Sequence, residues 1–584
     1  MARSHTLTPP KLRDFLRSSW IIRSSSISGM FRALLPLKTL HISENEMREV
    51  AMFIIGKEYG LSWATFAETS GRGLCGLILG LVLCMEDAAA TTYYLSATGN
   101  DASAGTVNSP WKTFNYAMSR TTCGDTLMLK DGEYTTTVHG PLNIRKSCTR
   151  STVFTVEAQN QRKAHLSGDG STSAVSVSNS AYVTVDGLHA SSADSTCCQG
   201  NNYPTVVVDK SNHVQLKNLL IQYNNRYQNS PMVRLSNTSD SLIEGTEIYD
   251  YHRHGVVLGG NVQRTVIRRL YCNSRGRADI PGGFPSGNTD RGDSCAQEYP
   301  TGGTGANADN IFENVISEGN GNAMGIEAVY GPARTKVLGV ISLNDQFGVL
   351  LKARGGSTEN QQPVDVVMRD IAIVTPSSLG IYLRGNKNTV ITGATAYHGK
   401  WGFLADVEIV RGVPYAGGGT LSFTVTNMLS TLNGKGFESH DQTTWKIDYS
   451  NAFNNTTNYS PSSHANYSPS VKPTPIDPQL GSCRVWIPDA SPMKGAGEGG
   501  VDIGANILYR YQNGELTNVP LWDRLTGEFP HGALVVGVND IPGESLFDVH
   551  KRLNVNTNGC LFPKSYTQGS DTSSPRAPQG LAAR

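Results

Sequence analysis

Charge is the first thing this sequence has little of. Only 17% of its 584 residues are charged, and the formal net charge is +1. That balance gives no bulk field for binding nucleic acid, although a local patch could still hold an anion. No apolar run reaches the length of an ordinary membrane span, and no segment keeps a helical period of 3.6 residues, which excludes helical-repeat folds. No Cys-x-x-Cys pair supports a zinc site. What is abundant instead is glycine, at 61 residues, together with many Asn, Ser and Thr. This composition favours short strands joined by turns.

The N-terminal residues 1 to 90 read as an address. Arg72 precedes an apolar run from Leu74 to Cys84 and then Ala88-Ala89-Ala90, the pattern of an export signal with cleavage after Ala90. An uncleaved anchor is the alternative; Leu83 argues against lipidation at Cys84. The run starts late, so translation is expected to begin downstream, at Met47 or Met52. Eight of the 10 cysteines lie beyond the cleavage point, and an even set in an exported chain predicts disulfides. Neighbourhood in sequence favours Cys123–Cys148, Cys272–Cys295 and Cys483–Cys560, leaving Cys197 and Cys198 as a vicinal pair or free.

From about residue 174 one pattern repeats: an apolar strand, a polar turn, a second alternating strand, then Asn- or Gly-rich residues. Examples are GVVLGGNVQRTVIRRLYCNS from Gly255 and GIYLRGNKNTVITGATAYHG from Gly380. Period-2 strands at this spacing predict an all-β solenoid, a right-handed parallel β-helix of about ten rungs. The expected organisation is a cap and first rungs over 91–165, the helix over 166–455, a Ser/Pro-rich linker over 456–480 and an irregular tail over 481–584. The tail is expected to pack on the solenoid, with its last ~20 residues disordered.

Aligning rungs on Gly255, Gly325, Gly348, Gly380, Gly402 and Gly436 gives a frame. The first and third residues after each glycine are apolar or small, and so face the core. The second and fourth point outward. The second set holds Glu327, Tyr382 and Glu438; the fourth holds Lys352, Arg384, Asp406 and His440. With rungs ~4.8 Å apart, the fourth set should stack into one charged seam. A loop from about Arg275 to Asn307 is placed to wall one side. A plain solvated face is the alternative to a site.

Residues 91 to 135, with YYLSATGNDASAGTVNSPWKTFNYAMSR and CGDTLMLKDGEY, resemble the N-terminal cap of secreted right-handed β-helix proteins of the pectate-lyase-like superfamily. A short helix with Trp111, Phe114 and Ala117 would cover the open end. The DIGA stretch of the tail is similar to the closing segment of such proteins. The surroundings of Arg384 in GIYLRGNKNTV resemble the alginate lyase and chondroitinase B group, with Lys352 the weaker match. That resemblance implies β-elimination on a uronate polysaccharide, with Lys352 and Arg384 catalytic and Tyr382, Asp406, Glu438 and His440 binding substrate. Two like charges ~5 Å apart repel by roughly 1 kcal/mol in water, which disfavours the charged form of the lysine and so suits a base. The group also implies calcium, with Glu327 a partial match beside Asn320 or Asn322 and Val329 where a second acid belongs.

Three alternatives stay open. Asp406 and Glu438, ~8 Å apart by strand geometry, suit an inverting glycoside hydrolase; Asn288-Thr289-Asp290 is similar to one fragment of the polygalacturonase motifs. Gly436-Phe437-Glu438-Ser439-His440-Asp441 is similar to the strand of mannuronan epimerases, with three changes. A non-catalytic glycan-binding or surface protein would use Tyr223, Tyr227, Tyr249, Tyr251 and Tyr330 for stacking, if exposed, with His252-Arg253-His254 a further cluster. The expected partner is a polysaccharide; no nucleic acid, no membrane in the mature form, and a monomer secreted to the periplasm or cell exterior.

Overall fold

The computed structural model describes residues 90–192, 203–222, 230–251, 253–274, 294–300, 307–328, 333–353, 362–406, 409–410, 413–414, 421–439, 444–460, 475–521 and 553. All of them belong to the second of the chain's two units, residues 89–584.

Within it, 33 strands form one sheet whose pairings are all parallel, each strand bonded to its counterpart one rung before and after. Such winding, with the right-handed crossover that parallel connections adopt, is a right-handed parallel β-helix. Each full turn contributes three strands, and like strands stack into three strips. One turn runs Phe347–Ala353, then Val367–Arg369, then Ile371–Val374. The interior is a continuous column that includes Val256, Met324, Val349, Ile381, Phe403 and Phe437, all 0% exposed.

The glycine frame has a steric cause. A Cβ on Gly348 would lie 2.6 Å from the carbonyl oxygen of Gly380, on Gly380 2.3 Å from that of Gly402, and on Gly436 2.5 Å from that of Asn458. At these three positions a side chain would collide with the backbone of the next rung. The corner between the second and third strips has its own rule. Asn218, Arg269, Asn314, Asp370, Asn427 and Tyr449 all take left-handed φ there, between 43° and 57°, a conformation that Asn and Asp tolerate best among non-glycine residues. Interior asparagines satisfy backbone donors of the neighbouring rung. Asn310 Oδ1 accepts from Thr265 N at 3.0 Å, and Asn433 Oδ1 from Gly399 N at 2.7 Å.

The helix Phe114–Arg120 is capped by the Thr113 side chain and buries Phe114 and Ala117, which belong with Trp111 to the same core as the solenoid residues. Cys123–Cys148 and Cys272–Cys295 are disulfides, as the sequence spacing predicted. Cys483 is also disulfide-bonded; Cys197, Cys198 and Cys560 lie outside the described residues.

Residues 475–521 run along the outward face of the third strip. Tyr511 exchanges two backbone bonds with the Asn314 side chain, at 2.7 and 2.9 Å. Glu313 accepts from Asn513 N and Gly514 N, both at 2.9 Å. Asp370 accepts from Asn506 N at 2.8 Å and from the Tyr511 hydroxyl. Beneath lies an apolar layer of Tyr249, Tyr271, Ile316, Ile341, Val374 and Leu429 packed on Val485, Ile487, Ile503 and Ile507. Among the described residues no helix is long and apolar enough to cross a membrane.

Candidate functional site

The first strip is built by the strands Ser294–Glu298, Asn322–Ala328, Phe347–Ala353, Leu379–Arg384, Trp401–Asp406 and Lys435–Ser439. Its register is unbroken across the proposed seam. Lys352 pairs with Arg384 and Arg384 with Asp406. Tyr382 pairs with Leu350 on one side and Leu404 on the other, and Leu404 with Glu438. Lys352, Tyr382, Arg384 and Asp406 are all part-exposed, whereas Val349, Leu351, Ile381 and Leu383 are 0% exposed. The pleat therefore sorts the residues as the alternation predicted, and it brings Lys352, Arg384 and Asp406 onto one face of three consecutive rungs.

One rung departs from the glycine frame. Gly325 does not stand in the glycine column: it pairs with Leu350, and Ala323 holds the column position, flanked by the pairs Asn322–Phe347 and Met324–Val349. The shift is two residues, so the faces are unchanged but the ladder is not. Glu327 pairs with Lys352 and belongs to the seam itself, in the place assigned to Val329. The seam thus reads Glu327, Lys352, Arg384, Asp406, a carboxylate position at each end of two cationic ones.

Of the residues the calcium expectation names, Asn320 is tied into the fold. Asn320 is wholly buried at a corner, where its Oδ1 accepts from Ser274 N at 3.0 Å and its amide donates to Cys272 O and Ser317 Oγ. Asn322 stands on the same strand as Glu327, five residues before it; the Glu327 side chain lies outside the described residues.

Polar contacts and aromatic rings organise the face. The Tyr382 hydroxyl donates to Asp406 Oδ2 at 3.0 Å. Arg384 lies 5.7 Å from the Tyr382 ring centroid, and Phe347 stacks on the same ring at 6.2 Å. Trp401 donates its indole N–H to Glu438 Oε2 at 2.6 Å, and Lys435 Nζ meets Glu438 Oε1 at 2.8 Å. Glu438 is only 5% exposed, so it braces Trp401 and Lys435 more than it faces solvent. Lys400 Nζ sits 4.6 Å from the Trp401 ring. Phe347 and Trp401 carried no signal in the sequence reading because they precede the glycine, outside the counted frame.

His440 and most of the loop from Arg275 to Asn307 lie outside the described residues, as do Asp441, His252, Tyr223, Tyr227 and Tyr330. Tyr249 and Tyr251 are 0% exposed and offer no stacking surface to a glycan. Tyr249 lies in the layer beneath residues 475–521, and Tyr251 belongs to the interior column.

No family model and no curated protein matches the sequence. Solved structures similar to this chain include a rhamnogalacturonan lyase (TM-score 0.41, 13% identity, 63% of this chain and 87% of that one). Others are the pectate lyase Pel9A (0.40, 13%, 72% and 96%) and the GH136 lacto-N-biosidase from Eubacterium ramulus (0.38, 11%, 61% and 67%).

Proposed function

We propose that the chain is an exported carbohydrate-active protein whose first-strip face binds an acidic polysaccharide and cleaves it by β-elimination. The observation that carries this reading is the register of Lys352 on Arg384 on Asp406, with Phe347, Tyr382 and Trp401 on the same side. Elimination beside a uronate needs its carboxylate neutralised, the adjacent proton removed and the leaving oxygen protonated. Arg384 supplies a permanent cation with a planar fork suited to a carboxylate. Lys352, with no hydrogen-bond or ion-pair partner among the described residues, stands in register beside Arg384 and is the candidate base. Tyr382, two residues from Arg384 on the same strand, offers an O–H and a ring face on which a sugar can lie. Disulfides fit an oxidising compartment.

The test is a screen of alginate, pectate, glycosaminoglycans and neutral glycans, reading ultraviolet absorbance of the new double bond alongside reducing ends. Absorbance with uronate polymers only is the expected result. Reducing ends without absorbance would replace elimination by hydrolysis, for which Asp406 and Glu438 are the carboxylates. Retention of glycan without any product would leave a binding face alone.

A further inference from the structure

A second constellation lies on the third strip near the N-terminal end, three or more rungs before the seam. The strands Gly132–Thr135, Ala164–Gly168 and His189–Ser192 stack in register, with Glu133 on His165 and His165 on His189. All three side chains project from the outward face, opposite to the buried Tyr134, Leu166 and Ala190. His165 is held at both nitrogens: Nδ1 lies 2.5 Å from Glu133 Oε2, and Nε2 lies 2.7 Å from Ser191 Oγ. The His189 ring stacks on the His165 ring at 3.8 Å and 10°, fixing its plane.

We propose that Ser191, His165 and Glu133 form a nucleophilic triad that hydrolyses short acyl esters. The order of contacts, carboxylate to one ring nitrogen and hydroxyl to the other, is what the chemistry needs. Glu133 accepts the Nδ1 proton and so leaves Nε2 unprotonated towards the serine. Burial, opposed by Glu133, lowers the His165 pKa; burial, then His165 and Arg162, holds His189 well below its usual value. Both rings are therefore neutral near pH 7, and His165 is in the form that accepts a proton.

Ser191 Oγ bonds to the ester carbonyl carbon while its proton passes to His165 Nε2. That proton then goes to the alcohol oxygen as the carbon–oxygen bond breaks. Water next adds to the acyl carbon, giving a proton to His165, and the Ser191–acyl bond breaks as the serine regains a proton. Ester and water become alcohol and carboxylic acid. Gln222 pairs with Ser191 on the next rung. Its amide nitrogen donates to Asp250 Oδ2 at 2.9 Å and keeps a second hydrogen for the developing oxyanion. Ser191 is 5% exposed, while the side chains of His165 and Glu133 are 20% and 52% exposed. In this proposal the ester approaches from their side, and the low exposure of Ser191 restricts the acyl group to a small one such as acetyl.

The experiment treats the full chain with a fluorophosphonate probe, maps the adduct by mass spectrometry, and measures acetate release from p-nitrophenyl acetate. An adduct at Ser191 that disappears in His165→Gln is expected, with hydrolysis falling to the uncatalysed level in Ser191→Ala. Glu133 is a positioning residue, and Glu133→Gln should lower kcat by roughly 10²–10⁴-fold at unchanged KM. No adduct at Ser191, an adduct indifferent to His165→Gln, or acetate release that survives Ser191→Ala would each overturn the proposal. Far-ultraviolet spectra of the variants separate loss of chemistry from loss of fold. Lys352→Ala should leave these readouts untouched, so failure here and failure of the elimination reading are distinguishable.

Discussion

The outward face of the first strip at the seam and that of the third strip under residues 475–521 follow the same pleat and differ in content. On the first strip the outward positions include Lys352, Tyr382, Arg384 and Asp406, part-exposed and polar, beside the buried Leu350 and Leu404. On the third, beneath residues 475–521, they include Tyr271, Ile316, Ile341 and Val374, while earlier rungs of the same strip carry Glu133, His165 and His189. A β-helix face is thus not polar by default. The polarity of the first strip is a choice among residues that could have been otherwise, which weakens the reading of it as mere solvated surface.

The sharpest way to break that comparison is Lys352→Ala. If the first strip is a reaction face, product formation should fall by roughly 10²–10⁴-fold, the usual weight of a general base, with the thermal midpoint unmoved. Equal activity would remove the lysine from the mechanism. On the covered strip the expectation inverts. Tyr511→Phe leaves Asp370 without one of its donors, at a cost of roughly 1–3 kcal/mol, and should expose residues 475–521 to protease without affecting turnover.

A third test is the pH dependence of stability. Burial pushes Glu298 and Asp345 up to about 7, and Asp370 up to about 6. Between their ordinary values near 4 and these raised ones, the folded chain binds more protons than the unfolded chain. The stability they contribute is therefore complete in acid and declines as pH rises from about 4 to 7. Glu298→Gln should flatten that decline in thermal melts; an unchanged slope would show that Glu298 is not among its sources. The smallest effect is expected at the exposed corner pair of Arg334 and Asp309, 2.6 Å apart with half-exposed side chains. Arg334→Ala should shift stability by less than about 1 kcal/mol, and a larger loss would mean that the corner ladder sets register.

The seam was legible because strand alternation and the glycine column are both steric, and sterics leave marks at each rung. The Gly325 rung failed for the same reason: a glycine two residues past the column mimicked it, while Ala323 filled the true position. The left-handed corners were not legible, since Asn, Asp, Arg and Tyr all occupy them. Nor were the tail contacts, which join residues such as Asn314 and Tyr511 across 197 positions. The carboxylate, histidine and serine of the second constellation lie 32 and 26 residues apart. Only an alignment of the earliest rungs, which lack the leading glycine, would have set them side by side.

The contact of each column glycine with the carbonyl above it also limits how such a molecule can change. A whole turn could be gained or lost without changing which side chains of its neighbours face the core, since each strand keeps its own alternation. A single residue inserted between Gly348 and Lys352 would instead rotate the lysine into the core and leave its neighbours in place. Variation is thereby driven to the corners, where a loop of any length can leave and return without disturbing the residues stacked beneath it.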